Sequence, residues 1–283
     1  MNGNSTSILL YGYGNPGRQD DGLGPALAEE IGRLHAPRVE VDANYQPLIE
    51  DAAQIAEYDV VIFVDTTIEE LSEANEKSGF FVRRLEPAKE IAFTSHHVSP
   101  ESILAMCEDL YGRTPRAWLI GIRGYEFEYI EGFTEVASNN YQRAFDFVTF
   151  LIRLYGEKAM AQKTVLIIDD DVDIRASIRI VLEAAGFSVG EAGDGKEGLK
   201  VAEEVKPDAI IIDLMMETVD AGSKVSTQLK EKGFKGPMYL LSAAGDAVRY
   251  NIDAKELGLA GIFQKPINHE VLINTLKKAL KIG

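Results

Sequence analysis

Acidic side chains follow several apolar runs in the C-terminal half of the sequence. Residues 169–171 are all aspartate and come directly after one run, and Asp213 follows another. Carboxylates from two strand ends can hold Mg²⁺, which prefers oxygen ligands, and one of them can attack a phosphoryl donor to form an acyl phosphate. Ser242 and Lys265 end two later runs, where a hydroxyl and an ammonium can bind phosphoryl oxygens. The predicted chemistry is phosphoryl transfer to an aspartate.

The N-terminal half offers a different set of ligands in three loops beside predicted strands: Asp20 and Asp21, Asp65, and His96 and His97. Carboxylate and imidazole donors suit nickel or zinc with coordination positions left open. Each residue alone has an ordinary structural explanation, such as a turn cap or a satisfied loop histidine. Together at one sheet edge they predict a metal site. Because adjacent carboxylates can raise one another's pKa, Asp20 and Asp21 are also candidate general bases.

Two sheets are needed to bring these residues together. Apolar runs in the N-terminal half predict strands at residues 8–11, 39–41, 60–64, 80–84 (an edge strand) and 117–122. Runs in the C-terminal half predict strands at residues 165–168, 188–192, 209–212, 238–241 and 261–263. Helices are predicted between them, including one at 247–257. Short apolar strands without polar alternation are typical of parallel sheets buried on both faces.

The predicted fold is therefore two three-layer α/β domains, the second a doubly wound, five-stranded parallel sheet. Right-handed crossovers place helices on both faces of such a sheet, and ligands lie beyond the carboxyl ends of its strands. We predict domains at residues 1–157 and 164–283, joined by a linker at residues 158–163.

Charge and composition exclude several classes of protein. The chain has 29 Lys and Arg against 45 Asp and Glu, a net charge of -16, which argues against a generic nucleic-acid binder. The longest apolar runs have about five residues, and a membrane span needs ~20. No lysine or arginine precedes Arg18, so no secretory signal is expected. A single cysteine, Cys107, fits a reducing compartment. We expect a cytoplasmic protein with no nucleic-acid or membrane partner.

A glycine pattern near the N-terminus imitates a dinucleotide-binding loop. Residues from Gly12 to Gly17 read G-x-G-x-x-G. Such a loop needs a helix that begins inside it and receives the pyrophosphate. Here the helix is predicted to begin near Pro25, and Asp20 and Asp21 would repel a phosphate. The sequence therefore disfavours nucleotide binding.

Three motifs in the N-terminal half resemble those of the [NiFe]-hydrogenase maturation endopeptidases: GYGNPGRQDDGLG at 12–24, VD at 64–65 and SHHVSP at 95–100. The resemblance implies that Asp21, Asp65 and His97 contact nickel, with His97 preferred to His96 because of its spacing from Pro100. Family members remove a C-terminal peptide from the precursor of the hydrogenase large subunit. Nickel arrives with that substrate, where it could polarise the scissile carbonyl.

Residues 164–283 resemble the receiver domain of bacterial response regulators, which is flavodoxin-like. The resemblance implies that Asp169 and Asp170 bind Mg²⁺ together with Asp213. It also implies that Asp213 is the phosphoacceptor, that Ser242 is the switch hydroxyl and that Lys265 senses the phosphate. A histidine kinase or another phosphodonor would be the partner.

The sequence departs from the receiver pattern at three positions. Glu217 replaces the usual proline, Gly222 comes one position late, and Ile262 replaces the usual aromatic residue. These changes leave the predicted phosphorylation chemistry in place. They concern the way in which the effect of phosphorylation is passed to the surface of the domain.

The combined expectation is an endopeptidase whose fused receiver regulates it. The alternative is a phosphorylation-dependent adaptor, in which the peptidase-like domain only binds a hydrogenase or a metal. A metal-sensing regulator without proteolysis is a third hypothesis.

Overall fold

The computed structural model describes residues 6–88, 98–157, 163–216, 221–243 and 258–282. The chain divides into two compact units, Met1–Gly156 and Glu157–Gly283. Each unit contains a five-stranded sheet between helices, which confirms the predicted fold class of two α/β domains. Of the predicted linker, only Lys163 belongs to the described residues.

The N-terminal unit is built on a mixed sheet. Its strands are β1 (Ile8–Tyr13), β2 (Val39–Asn44), β3 (Val60–Thr67), β4 (Phe80–Leu85) and β5 (Arg116–Arg123). The strand order is β2-β1-β3-β5-β4. Strands β2, β1, β3 and β5 are mutually parallel. Strand β4 lies at one edge and pairs antiparallel with β5. The prediction of an edge strand near residue 80 is therefore confirmed.

Helices follow the parallel strands. They are α1 (Leu23–Gly32), α2 (Asp51–Ile55), α3 (Glu73–Glu76), α4 (Pro100–Tyr111) and α5 (Glu135–Gly156). A 3₁₀ helix, Gln19–Gly22, runs directly into α1. At the start of α4 the Ser99 hydroxyl accepts from the backbone N–H of Ser102, and Pro100 occupies the first turn, where its missing N–H costs nothing.

The core of this unit fixes the two central strands from both sides. β1 and β3 are almost continuously buried, as expected for parallel strands covered on both faces. On one face Leu9 and Phe63 pack against Leu104 and Cys107 of α4. This packing holds the carboxyl ends of β1 and β3 side by side, where the candidate ligands follow.

The C-terminal unit has an all-parallel sheet. Its strands are β6 (Thr164–Ile168), β7 (Ser188–Ala192), β8 (Ala209–Asp213), β9 (Met238–Ser242) and β10 (Gly261–Gln264). Their order is β10-β9-β8-β6-β7, a doubly wound arrangement in which the order reverses beside β6. The carboxyl ends of β6, β8 and β9 therefore meet at one edge of the sheet.

The described helices of this unit are α6 (Val172–Ala184), α7 (Gly195–Val205), α8 (Ala221–Glu231) and α9 (His269–Ala279). Side-chain oxygens of Asp171, Asp194 and Asn268 accept backbone N–H groups at the starts of α6, α7 and α9. The helix predicted at residues 247–257 lies outside the described residues. In the described ranges, no helix combines the length and apolar character needed to cross a bilayer.

Candidate functional sites

Three carboxylates meet at the carboxyl edge of the C-terminal sheet. Asp169 and Asp170 follow β6, and Asp213 is the last residue of β8. One oxygen from each lies within 4.8 Å of the other two. Three oxygen donors at this spacing fit a hard divalent cation such as Mg²⁺. The structure thus brings together the three residues that the sequence analysis assigned to magnesium.

Lys265 lies between two of these carboxylates. Its Nζ is 3.0 Å from Asp169 Oδ2 and 3.0 Å from Asp213 Oδ1. Asp169 is fully buried and Asp213 nearly so. The ammonium therefore compensates two carboxylates that have lost most of their hydration.

Burial and charge shift the titration of this cluster. Burial raises the pKa of Asp169, and Asp213 adds to that rise, while Lys265 opposes it. Burial likewise raises the pKa of Asp213 against the opposing charge of Lys265. Burial alone would lower the pKa of Lys265, but the two carboxylates outweigh it, so its pKa lies above the usual value. A second positive charge would favour the ionised carboxylates further.

Ser242 lies at the same edge, at the end of β9. It is buried, and its hydroxyl donates to the carbonyl of Ala243 at 3.1 Å. Its own carbonyl accepts the backbone N–H of Lys265 at 2.8 Å. The sequence reasoning therefore placed Ser242 and Lys265 at the correct sheet edge.

The late glycine packs against the end of β8, which finishes at Asp213. A Cβ on Gly222 would lie 2.1 Å from the carbonyl oxygen of Asp213, so only glycine fits at this position of α8. Glu217 lies outside the described residues, and Ile262 is a partly buried residue of β10 that packs on the core.

In the N-terminal unit, Asp65 lies inside a strand. β3 continues past Val64 because Asp65, Thr66 and Thr67 remain paired with β5. The carboxylate of Asp65 accepts the backbone N–H of Thr66 at 2.7 Å and a hydrogen bond from the Tyr13 side chain. Tyr13, at the end of β1, is a site residue that the sequence analysis missed. The available signal was its spacing of two residues from Tyr11, which places both side chains on the same face of the strand.

The charge of Asp21 contributes to the environment of the partly buried Asp65. Burial raises the pKa of Asp65 to about 7, and the charge of Asp21 adds to the rise against the two hydrogen bonds from Thr66 and Tyr13. Asp21 accepts the backbone N–H of Asn15 at 3.3 Å and lies 3.9 Å from the Arg18 guanidinium. His96 and His97 lie outside the described residues.

Asp20 has a different environment from Asp21. It is fully buried, and its carboxylate accepts backbone N–H groups of Tyr125, Glu126 and Thr134 and the Thr134 hydroxyl, at 2.8–3.1 Å. With four donors on two oxygens, Asp20 ties the 3₁₀ helix to the loop before α5. These bonds favour a structural role over the catalytic role considered from sequence.

Glycines in the first motif permit close backbone packing. A Cβ on Gly14, which has a φ of +138°, would lie 2.0 Å from the carbonyl oxygen of Asp21, and one on Gly24 would lie 2.4 Å from that of Val64. The glycine loop leads into the 3₁₀ helix with Asp20 and Asp21 rather than into the N-terminus of an α-helix. This geometry differs from that of a dinucleotide loop.

Comparisons with known proteins identify the C-terminal unit. Residues 165–277 match the family model of the response regulator receiver domain. The chain is 33% identical over 117 residues to the response regulator MprA of Mycolicibacterium vanbaalenii, covering 41% of this chain and 50% of that protein. It is 34% identical over 125 residues to the transcriptional regulatory protein PrrA of Mycobacterium leprae, covering 44% and 53%. The C-terminal unit is therefore a receiver domain.

The chain spans about half the length of these curated relatives. A solved structure, described as a [NiFe] hydrogenase maturation protease HycI from Thermococcus kodakarensis, covers 52% of this chain and 93% of its own, at 23% identity and a TM-score of 0.41.

Proposed function

We propose that the chain is an endopeptidase that removes the C-terminal peptide of a nickel-loaded [NiFe]-hydrogenase large-subunit precursor, and that phosphorylation of Asp213 regulates it. The peptidase-like domain comprises residues 1–157, the linker residues 158–163 and the receiver residues 164–283. The receiver function rests on one observation above all: Lys265 lies 3.0 Å from carboxylate oxygens of both Asp169 and Asp213.

Phosphoryl transfer uses the chain's own groups as follows. An Asp213 carboxylate oxygen attacks the phosphorus of the donor, and the bond to the donor atom breaks with its electron pair leaving on the donor. Lys265 then exchanges part of its contact with Asp213 for the new phosphoryl charge. The Ser242 hydroxyl rotates from the Ala243 carbonyl to donate to a phosphoryl oxygen. Bound at Asp169, Asp170 and Asp213, Mg²⁺ would neutralise charge on the transferred group.

The peptidase proposal is supported by the three N-terminal motifs and by the effect of the Asp21 charge on the partly buried Asp65. We assign these two carboxylates and His97 to contact the nickel carried by the precursor. In the metal-free chain, burial raises the pKa of Asp65 to about 7, and a bound divalent cation would lower it and favour the ionised carboxylate that acts as a ligand. Asp20 supports the 3₁₀ helix that presents Asp21.

The proposed partners are the hydrogenase precursor and a histidine kinase or another phosphodonor, in the cytoplasm. The acidic N-terminal half gives no basic face for nucleic acid.

The deciding experiment is mass spectrometry of the C-terminus of a nickel-loaded precursor after incubation with the full chain. We expect shortening by the wild type, and losses of at least tenfold in rate for Asp21→Asn, Asp65→Asn and His97→Gln. Asp109→Asn, an exposed residue of α4, is the matched control. If the wild type leaves the precursor intact, the adaptor alternative replaces the peptidase.

Regulation is tested in the same assay with acetyl phosphate. We expect the donor to change the cleavage rate of the wild type and to leave Asp213→Asn unaffected. Equal wild-type rates with and without the donor would remove the regulatory part of the proposal. Retained phosphorylation with no cleavage would leave the receiver assignment intact.

A further inference from the structure

The loop between β5 and α5 presents large apolar side chains to solvent. Tyr129 is 84% exposed, Ile130 58% and Tyr125 48%. Single exposed apolar residues are ordinary on protein surfaces, but three within six residues of one loop concentrate apolar surface there. Glu126, Glu128 and Glu131 alternate with them. We call these six residues the Tyr129 ridge.

The ridge is held in place by the segment that precedes Asp21. Backbone N–H groups of Gln19 and Asp20 donate to the carbonyls of Ile130 and Glu126 at 3.0 and 3.2 Å. The backbone N–H of Glu128 donates to the Gln19 side chain at 3.1 Å. The buried carboxylate of Asp20 adds its bonds from Tyr125 and Glu126. A surface fixed in this way loses little conformational freedom when a partner binds.

An arginine lies near each of the two aromatic rings of the ridge. The Arg18 guanidinium lies 5.6 Å from the centre of the Tyr129 ring, and that of Arg123 lies 5.6 Å from the centre of the Tyr125 ring. Arg18 also lies 3.9 Å from Asp21. Arg18 therefore links the Tyr129 ring of the ridge to Asp21, one residue of the proposed catalytic pair.

The charge of the ridge indicates the kind of partner. Among the described residues, no lysine or arginine forms an ion pair with Glu126, Glu128 or Glu131. Aromatic rings with interleaved carboxylates that no lysine or arginine of the described residues neutralises complement a polypeptide that carries both apolar and cationic side chains. A nucleic acid or an anionic lipid surface would be repelled.

We infer that the Tyr129 ridge binds a basic and apolar segment of the polypeptide substrate and positions it beside Asp21 and Asp65. This inference rests on the proposed peptidase function, because the ridge is assigned to the substrate through its position next to that pair. It adds a determinant of substrate choice outside the metal-contacting residues.

Binding is measured with the full chain and two fluorescein-labelled peptides of about ten residues, one alternating lysine with leucine and one alternating glutamate with leucine. Fluorescence anisotropy should detect the lysine peptide only, with an affinity that falls as salt is added. The variant Glu128→Gln/Glu131→Gln should weaken binding about three- to tenfold, since each exposed charge contributes modestly. Tyr129→Ser/Ile130→Ser should weaken it at low and high salt alike.

The matched control is Glu57→Gln/Glu108→Gln, which removes two exposed glutamates at the opposite edge of the sheet. It should bind the lysine peptide as the wild type does. Equal binding of both peptides, or an equal effect of the control and ridge variants, would overturn the inference. Fluorescence of Trp118, the only tryptophan of the chain, verifies that the N-terminal unit of each variant is folded.

The ridge and the peptidase can fail separately. Asp21→Asn/Asp65→Asn should bind the lysine peptide normally while precursor cleavage is lost. If the wild type binds this peptide but leaves the nickel-loaded precursor intact, the proposed function fails and the docking surface stands. If Glu128→Gln/Glu131→Gln shortens the precursor at the wild-type rate and KM, the ridge fails and the peptidase stands.

Discussion

The Lys265 ammonium lies 3.0 Å from Asp213 Oδ1, with only 16% and 6% of the two side chains exposed. The proposed phosphoacceptor is therefore paired with a cation before any phosphoryl group arrives. The ammonium offsets part of the cost of burying the carboxylates.

Replacing Lys265 with methionine should destabilise the receiver domain. Without the ammonium, Asp169 and Asp213 are buried like charges, and breaking such a pair costs about 3 kcal/mol of unfolding free energy. Adding Mg²⁺ should recover part of this loss, because the ion replaces the missing positive charge. The measurement is calorimetric unfolding of the full chain in EDTA and in Mg²⁺.

The matched control for this variant is Lys232→Met, which breaks an exposed ion pair with Glu203. We expect a change within about 0.5 kcal/mol and no dependence on Mg²⁺. Equal destabilisation by the two variants would show that the buried pair contributes no more than a surface pair.

Asp213→Asn should abolish phosphorylation by acetyl phosphate, since an amide is not a competent nucleophile here. Intact-mass spectrometry should show one added phosphoryl group on the wild type and none on the variant. Asp208→Asn is the control, because Asp208 precedes the strand that Asp213 ends and pairs with Lys163. A phosphorylated Asp213→Asn protein would move the acceptor to another residue.

Asp65→Asn should stabilise the metal-free N-terminal unit, and more at high pH. The pKa of Asp65 is about 7 in the folded chain against an ordinary value of 3.8. The contribution of the wild-type Asp65 carboxyl group to the folding stability is therefore fully present below pH 3.8 and is lost as the pH rises through 7. Between pH 5 and pH 8 the gain of the variant over the wild type should grow by roughly 2–3 kcal/mol.

Urea unfolding in EDTA, followed by the fluorescence of buried Trp118, measures this effect in the N-terminal unit alone. Asp109→Asn, on the surface of α4, should show no such dependence on pH. A stability difference between Asp65→Asn and the wild type that stays constant from pH 5 to pH 8 would contradict the raised pKa.

Asp20→Asn should destabilise the N-terminal unit by about 2–3 kcal/mol, because the amide turns a donor toward groups that need an acceptor. Thr134→Val removes one of the four hydrogen bonds and a cap of α5, for about 1–2 kcal/mol. Asp21→Asn should cost less than about 1 kcal/mol, since its contacts are longer and partly exposed. The same urea experiment compares all three.

The hydrogen exchange of residues 124–134 should rise in Asp20→Asn, since that loop loses its tie to the 3₁₀ helix. Unchanged stability and exchange together with lost cleavage would instead assign Asp20 to catalysis.

Local sequence patterns were sufficient to place the central strands, because β1, β3, β6, β8 and β9 are buried on both faces and therefore read as apolar runs. They were less reliable at strand ends. β3 was predicted to end at Val64 but continues to Thr67, since pairing with β5 extends it through polar residues. The start of α1 was predicted near Pro25 but lies at Leu23, where the 3₁₀ helix leads straight into it.

Long-range partners explain what the sequence could not reveal. Asp20 and Asp21 are neighbours of the same type, yet the donors that surround Asp20 come from residues more than 100 positions along the chain. The alternation of aromatic and acidic residues from Tyr125 to Glu131 has the period of a strand. It forms a loop because its backbone is bonded to residues 19 and 20 instead of to a neighbouring strand.

The length of α5 limits how a signal can reach the proposed peptidase site. Thr134, bonded to Asp20, caps the start of this helix, and its 22 residues at about 1.5 Å each span ~33 Å. The chain leaves for the linker only at the far end. If phosphorylation of Asp213 influences Asp21 through this helix, the helix must therefore rotate or shift as a rigid body over its whole length. Otherwise the influence must bypass α5 and act on how the precursor is captured.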